Sequence, residues 1–351
     1  MTTTVLATIF VLGILIFVHE LGHFAVAKWV GIRVERFSLG FPPKMFGWKI
    51  GDTEYVISWI PLGGYVKMAG EVPDEKEVTG APDEFMSKTA GRRAAVIIAG
   101  PLMNLLTAFV LCWVMIFAQG WPMTDPDHVL VGAVISGGPA DRAGIKADDI
   151  IAEVDGVSVK QFAEMAQLIH HRPGDSLWLA WSRGGQLLSG WVVALDTMML
   201  DESGQKVRQG LIGISEGYKI VPVGFLRAGV LGVERVWAVA ESIFHFLWGL
   251  ITGEVSAKMI GGPVFVAKVA GEAARQGFAS LLWLVAFLSI NLAIVNVLPI
   301  PVLDGGHLLF LATEKLRGKP LSLKQRAVAQ QIGLFFILVF ISFVTYNDFI
   351  R

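Results

Sequence analysis

Four apolar runs in the chain are long enough to cross a hydrocarbon core of about 30 Å, for which roughly 20 helical residues suffice. They cover about 5–27, 94–118, 276–303 and 327–347. A fifth run, 236–252, carries Glu241 and His245 and is soon interrupted by Gly and Pro, which predicts an amphipathic helix at a membrane surface. Between the second and third runs the pattern changes. Short alternating or β-branched pieces (129–135, 150–154, 177–181, 190–195) are separated by Ser136-Gly137-Gly138-Pro139, Asp155-Gly156 and Arg183-Gly184-Gly185. That pattern predicts a small strand-rich domain with one helix over 160–170. The predicted fold class is a polytopic α-helical membrane protein with four transmembrane helices and an inserted small α+β domain. Its parts are an N-terminal membrane core (1–118), the inserted domain (126–196), an amphipathic linker region (197–279) and a C-terminal membrane core (280–351).

Composition supports this partition. Hydrophobic residues make up 54% and charged residues 17%, against about 25% charged in ordinary soluble chains, and mean hydropathy is +0.59. A net charge of −1, from 29 basic and 30 acidic residues, gives no nucleic-acid surface. One cysteine, Cys112, excludes internal disulfides and a cysteine-based zinc site. The first run lacks a basic leader and a small-residue cleavage site, so a retained helix is expected. Basic residues then orient the chain. Ten Lys/Arg lie within 28–93 and five within 315–326, whereas 119–279 has thirteen spread over 161 residues. The two dense loops are therefore expected in the cytoplasm, with both termini and the inserted domain outside.

The first run contains Phe17-Val18-His19-Glu20-Leu21-Gly22-His23-Phe24. Residues i and i+4 of a helix share a face, so His19 and His23 can bind one metal, and Glu20, about 100° round, can reach a metal-bound water as general base. Neutral imidazoles suit Zn2+, and a catalytic zinc takes three protein ligands. Three ionisable side chains within five residues of a spanning helix are costly and point to function rather than packing. The third ligand is expected after the break Pro299-Ile300-Pro301, where Asp304 follows at matching depth; His307, three residues on, is the rival.

His-Glu-x-x-His in the first helix, with Asn296-Val-Leu-Pro299-Ile-Pro301-Val-Leu303-Asp304-Gly305 late in the chain, resembles the site-2 protease family of zinc intramembrane proteases. The segment 138–151, with Val154-Asp155-Gly156, resembles the PDZ domains of bacterial periplasmic proteases. Together they place the chain nearest the bacterial regulator-of-sigma-E branch, here with a single PDZ. The resemblance implies a zinc endopeptidase of the bacterial inner membrane with Glu20 as its catalytic residue and His19, His23 and Asp304 as zinc ligands. It also implies that Asn291 and Asn296 hold substrate. Gly100-Pro101-Leu102-Met103-Asn104 matches another family motif, for which a helix start with close packing at Gly100 is an equal reading. Tyr55–Met68 reads as two β-prone runs around Pro61-Leu62-Gly63-Gly64, a hairpin whose edge at Gly63, Gly64 and Tyr65 can hold an unwound substrate as an added strand.

The partners implied are single-span membrane proteins of the anti-sigma-factor type or remnant signal peptides, a peptide or C-terminus on the PDZ domain, and membrane lipid; no nucleic acid is expected. The competing readings are a catalytically inactive PDZ-bearing membrane scaffold, which has no need of Glu20, and a metal transporter, for which the second and fourth runs offer almost no polar lining.

Overall fold

The computed structural model describes residues 1–71, 80–200, 206–319 and 321–350. The chain forms two compact units, one of Met1–Ile116 with Gly224–Arg351 and the other of Phe117–Val223. The first unit opens with helix α1 (Thr2–Trp29), strands β1 (Val34–Ile50) and β2 (Thr53–Met68), and helix α2 (Ala90–Gln119). The second unit holds β3 (Trp121–Met123), β4 (Val129–Val134), α3 (Pro139–Arg142), β5 (Ile150–Val154), β6 (Val157–Ser158) and α4 (Phe162–His170). It continues with β7 (Ser176–Arg183), β8 (Gln186–Val193), β9 (Leu195–Leu200), β10 (Lys206–Leu211), β11 (Ile214–Glu216) and β12 (Lys219–Val221). The first unit resumes with α5 (Phe225–Thr252), α6 (Pro263–Gln276), α7 (Phe278–Val297), α8 (Asp304–Arg317) and α9 (Leu323–Ile350).

Among the described residues four helices are long and apolar enough to cross a membrane: α1, α2, α7 and the 324–350 part of α9. They coincide with the four apolar runs. The amphipathic run 236–252 lies inside α5, whose one side leaves Trp237, Phe244 and Trp248 exposed. α6 lies along α1, where Gly271 lets the backbones approach; a Cβ there would come within 2.3 Å of Thr4 Oγ1. Asp348 near the end of α9 is 4% exposed and accepts backbone N–H bonds from Gly262 and Phe265, both at 2.9 Å. Those donors are unpaired in the first turn of α6, so a buried carboxylate is matched there by helix N–H groups. Arg93 of α2 and Glu314 of α8 form a buried two-pronged pair at 2.6 and 3.1 Å, with Arg326 of α9 3.6 Å from the same carboxylate.

The loop between α1 and α2 is a sheet, but not the hairpin expected from sequence. Residues 36–39 of β1 pair with 64–67 of β2 and also with 54–57, so the two β-prone runs of β2 flank β1 instead of pairing with each other. The tight hairpin lies instead at Gly51-Asp52, where Ile50 faces Thr53 and Gly51 has φ +59°. A two-residue turn of that kind needs positive φ, which glycine takes without cost. The consequence is that segment 64–68 becomes an edge, paired on one side only among the described residues.

The second unit is built on a sheet of order β11-β4-β5-β7-β8, with β6 on β5. Val131, Ile151, Leu179, Trp181, Met165 and Ile169 share its core. Asp149, 1% exposed, is held by two bonds of 2.7 Å from the Arg183 guanidinium, which keeps its carboxyl below the usual range despite burial. The boundary expected at residue 196 is corrected here. Ile214 of β11 faces Val134 of β4, and Ile212 lies in the core. The segment after 196 therefore completes the sheet from some eighty residues away, and the unit runs to Val223.

Candidate metal centre

His19 and His23 sit one turn apart on α1, with ring centroids 4.7 Å apart. Asp304 reaches them from the first turn of α8. The break before it is tight. α7 ends at Val297, and the chain turns through Pro299, Pro301 and Val302, whose φ is +96°. A β-branched residue there is strained by about 1–3 kcal/mol, a cost tolerated where surrounding structure fixes the backbone. Gly305 and Gly306 close the turn; a Cβ at Gly305 would sit 2.1 Å from the Leu298 carbonyl oxygen, and one at Gly306 2.4 Å from that of Ile300. The Leu-Asp-Gly-Gly string is thus what permits α8 to start against the end of α7 and project Asp304 toward α1.

The donor atoms converge. His19 Nε2 lies 3.1 Å from His23 Nε2 and 3.2 Å from Asp304 Oδ2, and His23 Nε2 lies 3.5 Å from Asp304 Oδ1. Donors bound tetrahedrally at about 2.0–2.1 Å from a zinc ion stand about 3.3 Å apart, so this tripod has zinc spacing. Among the described residues it is the cluster whose ligand atoms all lie within 4.8 Å of one another. Asp304 Oδ2 is buried with no aligned hydrogen-bond donor, a deficit that a cation removes. Two neutral imidazoles and a carboxylate with room for a fourth ligand are the donor set of a catalytic zinc.

The outer nitrogens of both rings are held. His23 Nδ1 donates to the Val96 carbonyl at 2.8 Å, leaving its Nε2 lone pair free for a metal. His19 Nδ1 lies 3.2 Å from the amide of Asn104, a fully buried residue whose oxygen otherwise lacks a partner. Turning that amide by half a rotation lets the oxygen accept the Nδ1–H, and His19 Nε2 is then also free. The motif Gly100–Asn104 does not by itself assign Asn104 a task. The available signal was its position four residues after Gly100, on the helix face that meets the histidines, in a span without charges.

The cavity around the tripod, about 260 Å³, is lined among others by Glu20, Gly64, Tyr65, Glu71, Asn296 and His307. Glu20 borders the edge strand: a Cβ on Gly64 would lie 3.1 Å from Glu20 Cγ. Asn296 Nδ2 is 3.3 Å from His19 Nε2, at the mouth of the tripod. Asn291 does not reach the cavity; five residues earlier on a helix is about 140° round it. Gly63 packs beneath the Phe41 ring and does not line the cavity, whereas Gly64 and Tyr65 do. His307 lines the cavity but stands outside the group that His19, His23 and Asp304 form. His128, in the second unit, pairs with Asp125, and His245, on α5, lies near Glu241; both are exposed.

Comparison with known proteins places the chain in a family. Residues 7–340 match peptidase family M50. The chain is 34% identical to a putative zinc metalloprotease of Agrobacterium fabrum, over 99% of this chain and 96% of that protein. It is 29% identical to the zinc metalloprotease RasP of Oceanobacillus iheyensis, over 99% of both. Among solved structures, the PDZ domain of an SdrC-like protein from Listeria monocytogenes is matched at 24% identity and a TM-score of 0.21, covering 27% of this chain and 90% of that domain.

Proposed function

Because the chain belongs to peptidase family M50 and is a zinc metalloprotease of the site-2 type, we propose that it cuts single-span membrane proteins within or beside their spanning segments. Its substrates are of the anti-sigma-factor or remnant-signal-peptide kind. The observation that carries this reading is the closure of His19, His23 and Asp304 into one tripod beside a strand edge that no other strand covers among the described residues. Peptide hydrolysis needs an extended chain, since a helix hides its carbonyls in hydrogen bonds. The edge at 64–66 offers such a chain a strand partner next to Glu20.

His19, His23 and Asp304 would hold a zinc ion, which when bound would supply a Lewis acid and a water of lowered pKa at this place. Glu20 takes the proton of that water and passes it to the leaving amine nitrogen. The Asn296 amide, at the mouth of the tripod, donates to the carbonyl oxygen as it gains charge. Val96 and Asn104 keep both imidazoles in the ligating tautomer. An apolar groove of about 630 Å³, walled by Leu105 and Phe109 of α2, Trp237 and Phe244 of α5, and Ile294 and Val297 of α7, gives an apolar segment a place to lie beside the catalytic helices. The reading places the protein in a bacterial inner membrane with its catalytic end toward the cytoplasm and its PDZ-like unit outside, where that unit captures a chain terminus or excludes bulky external domains.

Purified protein in lipid vesicles is expected to cleave a model single-span substrate inside or at the edge of its spanning segment. A chelator should stop cleavage and added zinc restore it. Cleavage confined to soluble unstructured peptides would overturn the intramembrane reading. A second expectation concerns Asn104. Asn104→Ala should weaken zinc binding by about 10–100-fold, the usual effect of losing a partner behind a ligating histidine. Chelator competition measures it; unchanged affinity would remove Asn104 from the site.

A further inference from the structure

Among the described residues, the cavity holds one acid that neither zinc binding nor proton transfer uses. Glu71 follows β2 and lines the same space as His19, Glu20, His23 and Asp304. Among the described residues its carboxylate accepts one hydrogen bond, from the Met68 backbone N–H at 3.3 Å, and no Lys or Arg pairs with it. Burial pushes its carboxyl up to about 7. Among the described residues nothing supplies the counter-charge that normally accompanies burial of a carboxylate.

Its position says what would supply that charge. The outer edge of β2 runs from Gly64, beside Glu20, through Val66 to Met68, whose N–H Glu71 already holds, roughly 13 Å at about 3.3 Å per residue. Glu71 lies just past its end, where Phe85 and the first turns of α2 at Val96 and Ile97 complete the cavity wall. A chain added to the edge at the catalytic position therefore passes Glu71 about four residues from the scissile bond. Met68 pairs with Val34, just past the end of α1, whereas Gly64 lies against Ile16 and Glu20 within that helix, so the Met68 end is the cytoplasmic side in the orientation proposed above. Single-span proteins carry Lys and Arg at their cytoplasmic flank. A substrate extended along the edge brings its basic flank to Glu71, the uncommitted acid of the cavity among the described residues.

We propose that Glu71 is a specificity-determining residue that pairs with a Lys or Arg at the cytoplasmic flank of the substrate, a few residues from the cut bond. This rests on the protease reading and deepens it. A charge-assisted pair in a partly desolvated cavity discriminates by about tenfold or more between a cation and a neutral side chain. A purely structural Glu71, accepting from Met68 to close the turn after β2, makes no such distinction.

Full-length protein in vesicles would be assayed on model single-span substrates differing only by Lys or Gln at each of positions three to six on the cytoplasmic side of the mapped cut. The wild type is expected to prefer Lys at one of these positions by about tenfold in kcat/KM. Glu71→Gln should reduce that ratio to about twofold or less, and Glu71→Lys should transfer the preference to a substrate with Glu at the same position, with zinc content unchanged in both. A ratio near one at every position in the wild type, or the same ratio in the wild type and Glu71→Gln, overturns the assignment. If Glu71→Gln does not fold, the reversal in Glu71→Lys decides. Absence of cleavage of any substrate by the wild type defeats the hydrolase reading itself, and this pairing with it.

Discussion

Glu20→Gln is expected to lower the cleavage rate of a single-span substrate by about 10³-fold or more while zinc stays bound. The reason is the separation of tasks along one helix turn. His19 and His23 point their Nε2 atoms at Asp304, while Glu20 lies next in sequence but about 100° away, bordering the cavity instead of joining the tripod. Glutamine keeps the shape and the contact with the edge strand at Gly64 but cannot accept a proton, so it removes general-base catalysis and leaves the metal ligands intact. Single-turnover cleavage and metal analysis on the same sample separate the two effects. His23→Ala provides the contrast, since it should lose zinc and activity together. Equal rates for wild type and Glu20→Gln would falsify the role given to Glu20.

The parts of this centre differed in how visible they were along the chain. His19, Glu20 and His23 stood out because ionisable side chains are rare and costly in a spanning helix. Asp304 stood out because two prolines mark a break at the depth where a third ligand was needed. Local signals of this kind survive without knowledge of the fold. What failed was non-local pairing. The runs on either side of Pro61 look like partners in sequence, yet 36–39 intervene between them, and no periodicity in β2 records the presence of β1. The same holds for β11, whose place beside β4 cannot be read from a three-residue strand, so the inserted unit was ended too early. Asn291 and Asn296 look equivalent as polar residues in an apolar helix; only their phase on α7 assigns Asn296 to the cavity. Asn104 stands in the sequence only as the last residue of the Gly100–Asn104 motif, and Glu71 in no motif at all; each gains meaning only from what the folded chain sets against it.

Gly100→Ala is expected to cost zinc affinity by about 10²-fold or more and to lose activity in proportion, although it adds a single methyl group to a helix. Alanine in a helix interior is ordinarily favoured over glycine by roughly 0.5–1 kcal/mol, so local propensity predicts the opposite sign. Packing decides instead. A Cβ on Gly100 would stand 2.3 Å from His23 Nε2 and 2.8 Å from His19 Cε1, inside contact distance of both ligating rings. His23 cannot swing aside freely, because its Nδ1–H is held by Val96 on the same helix as the intruding methyl. Separating α1 from α2 is the remaining escape, and it pulls His19 from Asn104 and both rings from Asp304. The close approach is reciprocal: a Cβ on Gly22 of α1 would meet the Ala99 carbonyl oxygen at 2.3 Å. Gly13 on the same α1 has nothing within 4 Å of its would-be Cβ, so Gly13→Ala should bind zinc as the wild type does. Zinc titration of the two variants, with helix content followed in parallel, isolates the effect. Wild-type affinity in Gly100→Ala would mean that the tripod tolerates a wider spacing of α1 and α2 than its geometry demands.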